Sequence, residues 1–183
     1  MRKVFLFMMV SMDGYFEGEG HDLSWHNVDE EFNNFVHAQN ASIGTILFGR
    51  RTYEMMAAFW PTSQGSEADK LTADFMTATQ KVVISDTPLR SEWANTRVVN
   101  EQVNEEIAKL KAEPGNDIAM FGSNALCVSL MEAGLVDEFR VMISPVAIGK
   151  GTPVFEGLSK KIKFKLVDSR TFKSGNVLNR YVI

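Results

Sequence analysis

The sequence predicts an α/β domain with α/β/α layers on a mixed, mostly parallel sheet of about eight strands and an antiparallel C-terminal edge. Three observations lead there. Up to Gly134, short apolar runs alternate with segments of helical periodicity, which implies parallel strands joined by crossover helices. After Gly134 the period falls to two, with Phe139, Val141 and Ile143 alternating with Glu138 and Arg140, the mark of half-buried antiparallel strands. The length of 183 residues suits one domain, 1–183, with a core that needs no staples.

Each element can be justified in turn. Residues 4–10 form a continuous apolar run, a strand buried on both faces. The stretch Ser11-Met12-Asp13-Gly14 breaks it, and Gly18 to Gly20 marks a mobile loop. Asn27, with Glu30 three residues on, has the form of a capping box, and Val28, Phe32, Phe35 and Val36 then define a buried helix face. Residues 43–48 are a second strand ended by Gly49, and 52–59 a short helix. Strands follow at 81–84 and 97–99. Val103, Ile107 and Leu110 give an amphipathic helix stopped by Pro114-Gly115. A strand at 118–121 runs into a helix at 123–133, with Gly134 placed for a left-handed cap. Beyond 139–143, Ile162, Phe164 and Leu166 alternate with Lys161, Lys163 and Lys165, and Ser174-Gly175-Asn176 turns between the last two strands.

Composition narrows the classes of function. A net charge of −4 gives no footprint for nucleic acid or an anionic membrane surface. The single cysteine, Cys127, excludes an internal disulfide, and the three histidines lack the spacing of a two-histidine zinc helix, so no metal site is expected. The apolar run at 4–10 is short for a signal peptide, and Asp13 stands where a small-residue cleavage site belongs. The expected compartment is therefore the cytoplasm.

Two turns carry the candidate chemistry. Gly49-Arg50-Arg51-Thr52 leads from a strand into a helix, where free N–H groups and guanidinium donors suit a phosphate. Gly122-Ser123-Asn124-Ala125 repeats the strand–glycine–helix pattern, at the kind of strand end where open sheets bind ligands. Neither is a Rossmann fingerprint, and Gly149-Lys150-Gly151 lacks the first glycine of a P-loop. Glu31 shares the helix face of Val28 and Phe35. A carboxylate there needs compensation, from either a structural partner or a ligand, and burial would raise its pKa. Asp13, just after the first strand, is a second candidate acid at the same mouth.

Taken together these residues resemble the dihydrofolate reductase superfamily, in particular bacterial dihydrofolate-reductase-like proteins related to the reductase domain of the riboflavin-synthesis deaminase-reductase. The likeness runs through Leu23-Ser24-Trp25, Glu31 with Phe35, Gly49-Arg50 with Thr52-Tyr53, and Val82-Val83-Ile84-Ser85. The later turn, Gly122-Ser123 here, replaces the usual Gly-Gly pair, and Gly134 to Gly157 looks more like the riboflavin-type branch. The resemblance implies NADPH held by Gly49, Arg50, Arg51 and Thr52 on one side, and by Gly122, Ser123, Asn124 and Ala125 on the other. Ser85 would lie near the adenosine end. It implies hydride transfer to a pyrimidine or pteridine-like heterocycle, as in 5-amino-6-(5-phosphoribosylamino)uracil or dihydrofolate reduction, with Glu31 or Asp13 as the acid. An NADP-binding protein without turnover is the alternative. Related domains also commonly pair, so a homodimer is expected.

Overall fold

The computed structural model describes every residue except Gln64 and Ser123. Its main sheet has eight strands: β1 (Val4–Ser11), β3 (Ile43–Gly49), β4 (Gln80–Ile84), β5 (Thr96–Val99), β6 (Asp117–Phe121), β7 (Glu138–Ser144), β9 (Lys165–Thr171) and β10 (Val177–Val182). Their order is β5-β4-β3-β6-β1-β7-β10-β9, parallel from β5 to β7 and antiparallel from β7 to β9. Two short strands, β2 (Tyr15–Glu17) and β8 (Thr152–Pro153), pair with each other outside it.

The central strand β1 is buried at all eight positions. Its odd residues Phe5, Phe7 and Met9 pack under the helices α1 (Glu30–Asn40), α2 (Arg50–Phe59) and α3 (Glu67–Ala78). Its even residues Val4, Leu6, Met8 and Val10 pack under α4 (Val103–Ala112) and α5 (Asn124–Glu132). Strand alternation thus divides one apolar run between two cores. Gly134 closes α5 in the left-handed conformation at φ 71°, while the Leu135 N–H bonds the Leu130 carbonyl. Burial pushes the Cys127 thiol on that helix up to about 12, which makes it unreactive.

Some sequence-based expectations need correction. Asp29, not Asn27, caps α1, accepting the Phe32 N–H at 2.8 Å. The Asn27 amide instead donates to the Ser174 carbonyl, and Asn176 donates back to the Asn27 carbonyl. Val28 precedes the helix and is exposed. The Lys-alternating stretch is not a half-buried strand: Ile162 and Phe164 cover the α5-side core irregularly, and the strand runs from Lys165 to Thr171, exposed throughout. Phe164 is held off the sheet edge by contacts with Phe139, Phe155 and Tyr181. The α3 helix was not expected, although Ser66 and Asp69 form a full capping box at its start.

A candidate nucleotide crevice

Topology creates the crevice before any side chain is considered. Strands β3 and β6 are parallel neighbours, yet β3 leads into α2 on one face and β6 into α5 on the other. Neighbouring strands whose helices leave to opposite faces open a gap at their carboxyl ends, the switch point where α/β sheets bind ligands. The first turns of α2 and α5 border that gap.

The α2 turn starts at Gly49, whose extended conformation (φ −75°, ψ 155°) provides no side-chain cap, so the leading N–H groups of the helix have no side-chain acceptor from that position. A binding partner with oxygen acceptors suits such an end. Thr52 is buried and faces Gly122, where a Cβ would stand 3.8 Å from the Thr52 methyl. Gly122 has φ +84°, a conformation that glycine adopts without cost. The two predicted turns therefore meet. Ser123 lies outside the described residues. Asn124 donates to the Pro153 carbonyl at 3.4 Å, and Ala125 is exposed on the first turn of α5.

The two arginines differ. Arg50 is committed within the protein: Nε pairs with Glu54 at 2.8 Å, and Nη1 donates to Thr87 Oγ1 and to the Pro88 carbonyl. Ser85 is buried and donates to the Thr87 carbonyl at 2.7 Å, so it shapes the same loop from beneath. Arg51 is exposed and reaches the His21 ring, which also pairs with Glu17 at 3.0 Å. The loop after β1 is thereby docked beside the α2 turn. Nothing in sequence spacing signalled this contact.

The two candidate acids do not share a partner. Both oxygens of Glu31 are engaged by the β9–β10 turn: Arg170 donates to Oε1 at 3.0 Å and the Lys173 N–H to Oε2 at 2.9 Å. These donors, the Lys173 N–H foremost and then Arg170, hold the carboxyl below its ordinary range, opposite to the rise expected from burial. Asp13 is exposed and accepts the N–H groups of Ile148 (3.1 Å) and Gly149 (2.7 Å). A bond from Ser11, followed by that from Gly149, lowers its pKa as well. Arg170 and Lys173 lie some 140 positions from Glu31, so only the fold could reveal them.

Aromatic rings gather on the α1 face where β6 ends. Phe121 ends β6 and meets Phe7 edge-on at 6.5 Å, and Phe35 stands 5.9 Å from Phe7. Among the described residues no group of histidine, cysteine and acidic side chains is placed to hold a metal ion. No described helix is long and apolar enough to cross a membrane.

Sheet order, the divided core and this crevice define a dihydrofolate-reductase-like α/β fold. More narrowly, the chain belongs to the RibD C-terminal domain family, whose model matches residues 2–178. The uncharacterized protein YyaP of Bacillus subtilis (strain 168) is 34% identical over 179 residues, covering 96% of this chain and 92% of that one. Two solved structures share the fold. One is the Thermotoga maritima diaminohydroxyphosphoribosylaminopyrimidine deaminase/5-amino-6-(5-phosphoribosylamino)uracil reductase (TM-score 0.71, 16% identity). This chain is covered to 99% and spans 56% of that longer one. The other is dihydrofolate reductase from Enterococcus faecalis complexed with NADP(H) (TM-score 0.64, 15% identity, 98% and 95% covered).

Proposed function

We propose that residues 1–183 act as one domain that binds NADPH across the β3–β6 crevice and reduces a pyrimidine or pteridine-like ring. The observation that carries this reading is the meeting of the Gly49–Arg50–Arg51–Thr52 turn with Gly122 at the switch point. The residues present suit the cofactor. The α2 start offers N–H groups to a diphosphate, Arg51 offers an exposed guanidinium to a further phosphate, and Gly122 leaves room for close backbone approach. Asn124 and Ala125 belong to the opposite wall in this proposal. Ser85 and Arg50 set the loop that would border the adenosine end.

When bound, the nicotinamide supplies a hydride to a C=N or C=O bond of the ring. The chain's own residues orient that ring: Phe121 and Phe35 offer aromatic faces, and Glu31 offers a carboxylate to ring N–H and amino groups. Held ionised by Arg170 and Lys173, Glu31 acts as an acceptor that favours the protonated ring rather than as a proton store. Asp13 has the weaker claim, since the 148–149 backbone occupies it. One observation favours the alternative of NADP binding without turnover: both Glu31 oxygens already accept bonds from within the chain.

A fluorescence titration with NADPH and NADH, followed by NADPH oxidation assays on a panel of pyrimidines and pterins, tests the proposal. Tighter NADPH binding and turnover of one ring class support it. Failure to bind either nicotinamide overturns it, and binding without turnover selects the alternative.

A further inference from the structure

The two arginines of the α2 turn have partners of different kinds. Arg50 pairs with a carboxylate, Glu54 at 2.8 Å. Arg51 meets an imidazole: its Nη2 lies 2.6 Å from His21 Nδ1 and also contacts Nε2 of that ring. Among the described residues no carboxylate pairs with Arg51. Glu17 belongs to the same group of side chains but is engaged, with Oε2 3.0 Å from His21 Nδ1 and Oε1 accepting the Thr152 hydroxyl at 2.7 Å. An imidazole is neutral or positive, so it leaves the guanidinium charge unbalanced.

Glu17 is itself fixed by the chain around it. Its strand β2 pairs with β8, and Gly151 crosses so closely that a Cβ there would stand 2.1 Å from the Glu17 carbonyl. The Glu17 side chain is 13% exposed and that of His21 52%, so a shielded carboxylate orients an open ring. A carboxylate behind one ring nitrogen fixes the tautomer and supports a positive charge on the imidazole. Arg51, on the other hand, repels a positive ring. A phosphate between ring and guanidinium removes this conflict, because it accepts hydrogen bonds from both and balances both charges. Of the other charged groups close by in the chain, Asp22 serves the Ser24 N–H, and Glu19 and Lys150 are exposed.

Resting on the proposed reductase reading, we infer that His21 is a phosphate-binding side chain, acting with Arg51 on one phosphate of the dinucleotide. Glu17 is its positioning residue. Two side chains from different elements then hold the same group, His21 from the loop after β1 and Arg51 from the first turn of α2. The direct His21–Arg51 contact gives way to a bond from each to the phosphate, so that binding fastens the loop to the helix.

The test titrates the full chain with NADPH and NADH, the native protein first. A native chain that binds neither overturns the reductase reading, and the role of His21 falls with it. Where the native chain binds, His21→Ala should weaken NADPH about tenfold, the loss of one charge-assisted bond. The loss should divide between NADPH and NADH as it does in Arg51→Ala. His21→Gln, which keeps a neutral donor, should lose less, and Glu17→Gln should weaken NADPH about threefold by releasing the ring. In an Arg51→Ala background His21→Ala should still weaken NADPH; no further loss there would mean that the ring acts only by holding Arg51, which overturns the inference. The ring also reports directly by NMR. Its imidazole signals, identified by their absence in His21→Gln, should move when NADPH is added, while those of His37, bonded to the Ala68 carbonyl, should stay. Melting curves of each variant control for folding. Unchanged or tighter NADPH binding by His21→Ala overturns the inference, as does a His21 signal that does not respond to NADPH.

Discussion

Arg170 donates to Glu31 at 3.0 Å and so ties the last hairpin of the sheet to the first helix. The partners are 139 positions apart in sequence, and the Lys173 N–H completes the grip on the same carboxylate. Because this carboxyl titrates below its ordinary range when folded, its contribution is present above the unfolded carboxylate value of about 4.3 and is lost as pH falls through the folded one. Glu31→Gln should therefore lower stability at neutral pH and lose that difference in acid, read by thermal melts across pH. Turnover should slow while NADPH affinity stays nearly unchanged. The pH–rate profile from about 6 to 9 should keep its shape, since Glu31 is already ionised there. A native rate in the variant would leave Glu31 purely structural.

The Gly49–Thr52 turn gives an unequal pair of variants. A charge-assisted bond is worth about 1.5–3 kcal/mol, equivalent to roughly 10- to 100-fold in affinity. Arg51→Ala should weaken NADPH by that amount and NADH much less, as measured by fluorescence titration. Arg50→Ala should weaken both nicotinamides alike, because it frees the 87–88 loop that Arg50 holds. Identical selectivity profiles for the two variants would contradict this division.

Lys81 is a buried cation with a structural task. Its ammonium donates to the carbonyls of Met76, Thr77 and Thr79, which end α3, and lies 4.6 Å from the Trp93 ring. Lys81→Met should cost about 2 kcal/mol, or roughly 4–8 °C in Tm. Burial lowers the Lys81 pKa to about 8, below its usual value. Between about 8 and the unfolded value near 10.4 the unfolded chain holds more protons, so Lys81 makes stability rise with pH in that window. The variant should lack this rise.

The free edge of β9 leads to a prediction about association. All seven of its residues are exposed, Leu166 and Val167 among them, and it ends the sheet. Exposed edges pair readily unless protected. Light scattering at micromolar concentration should give a dimer mass, and Val167→Pro should shift it toward the monomer.

What the sequence made legible was whatever depends on local pattern. Period and punctuation were sufficient for β1, β3, β6 and α4, and glycines marked the two turns that meet at Thr52 and Gly122. The α3 helix is an element that punctuation alone offered, through its Ser66–Asp69 box, for it buries only Met76 and is followed by the stronger apolar run of β4. The fates of the candidate acids were not readable. Burial alone predicts a raised Glu31 pKa, and the reverse holds because Arg170 and Lys173 arrive from the far end of the chain. Asn27 misled for a similar reason: it is a fitting cap by type, but the Ser174–Asn176 turn claims it.

The position of β1 has a consequence for synthesis. It is the central strand, yet its partners β6 and β7 begin only at Asp117 and Glu138. At roughly 5–20 residues per second, translation leaves this uncharged, almost wholly apolar segment without either neighbour for on the order of 5–25 s. During that interval the nascent chain offers chaperones, or other nascent chains, a strand with high β propensity and no charge. Yield in the cell should therefore depend on translation rate and chaperone supply more steeply than the stability of the finished domain would indicate.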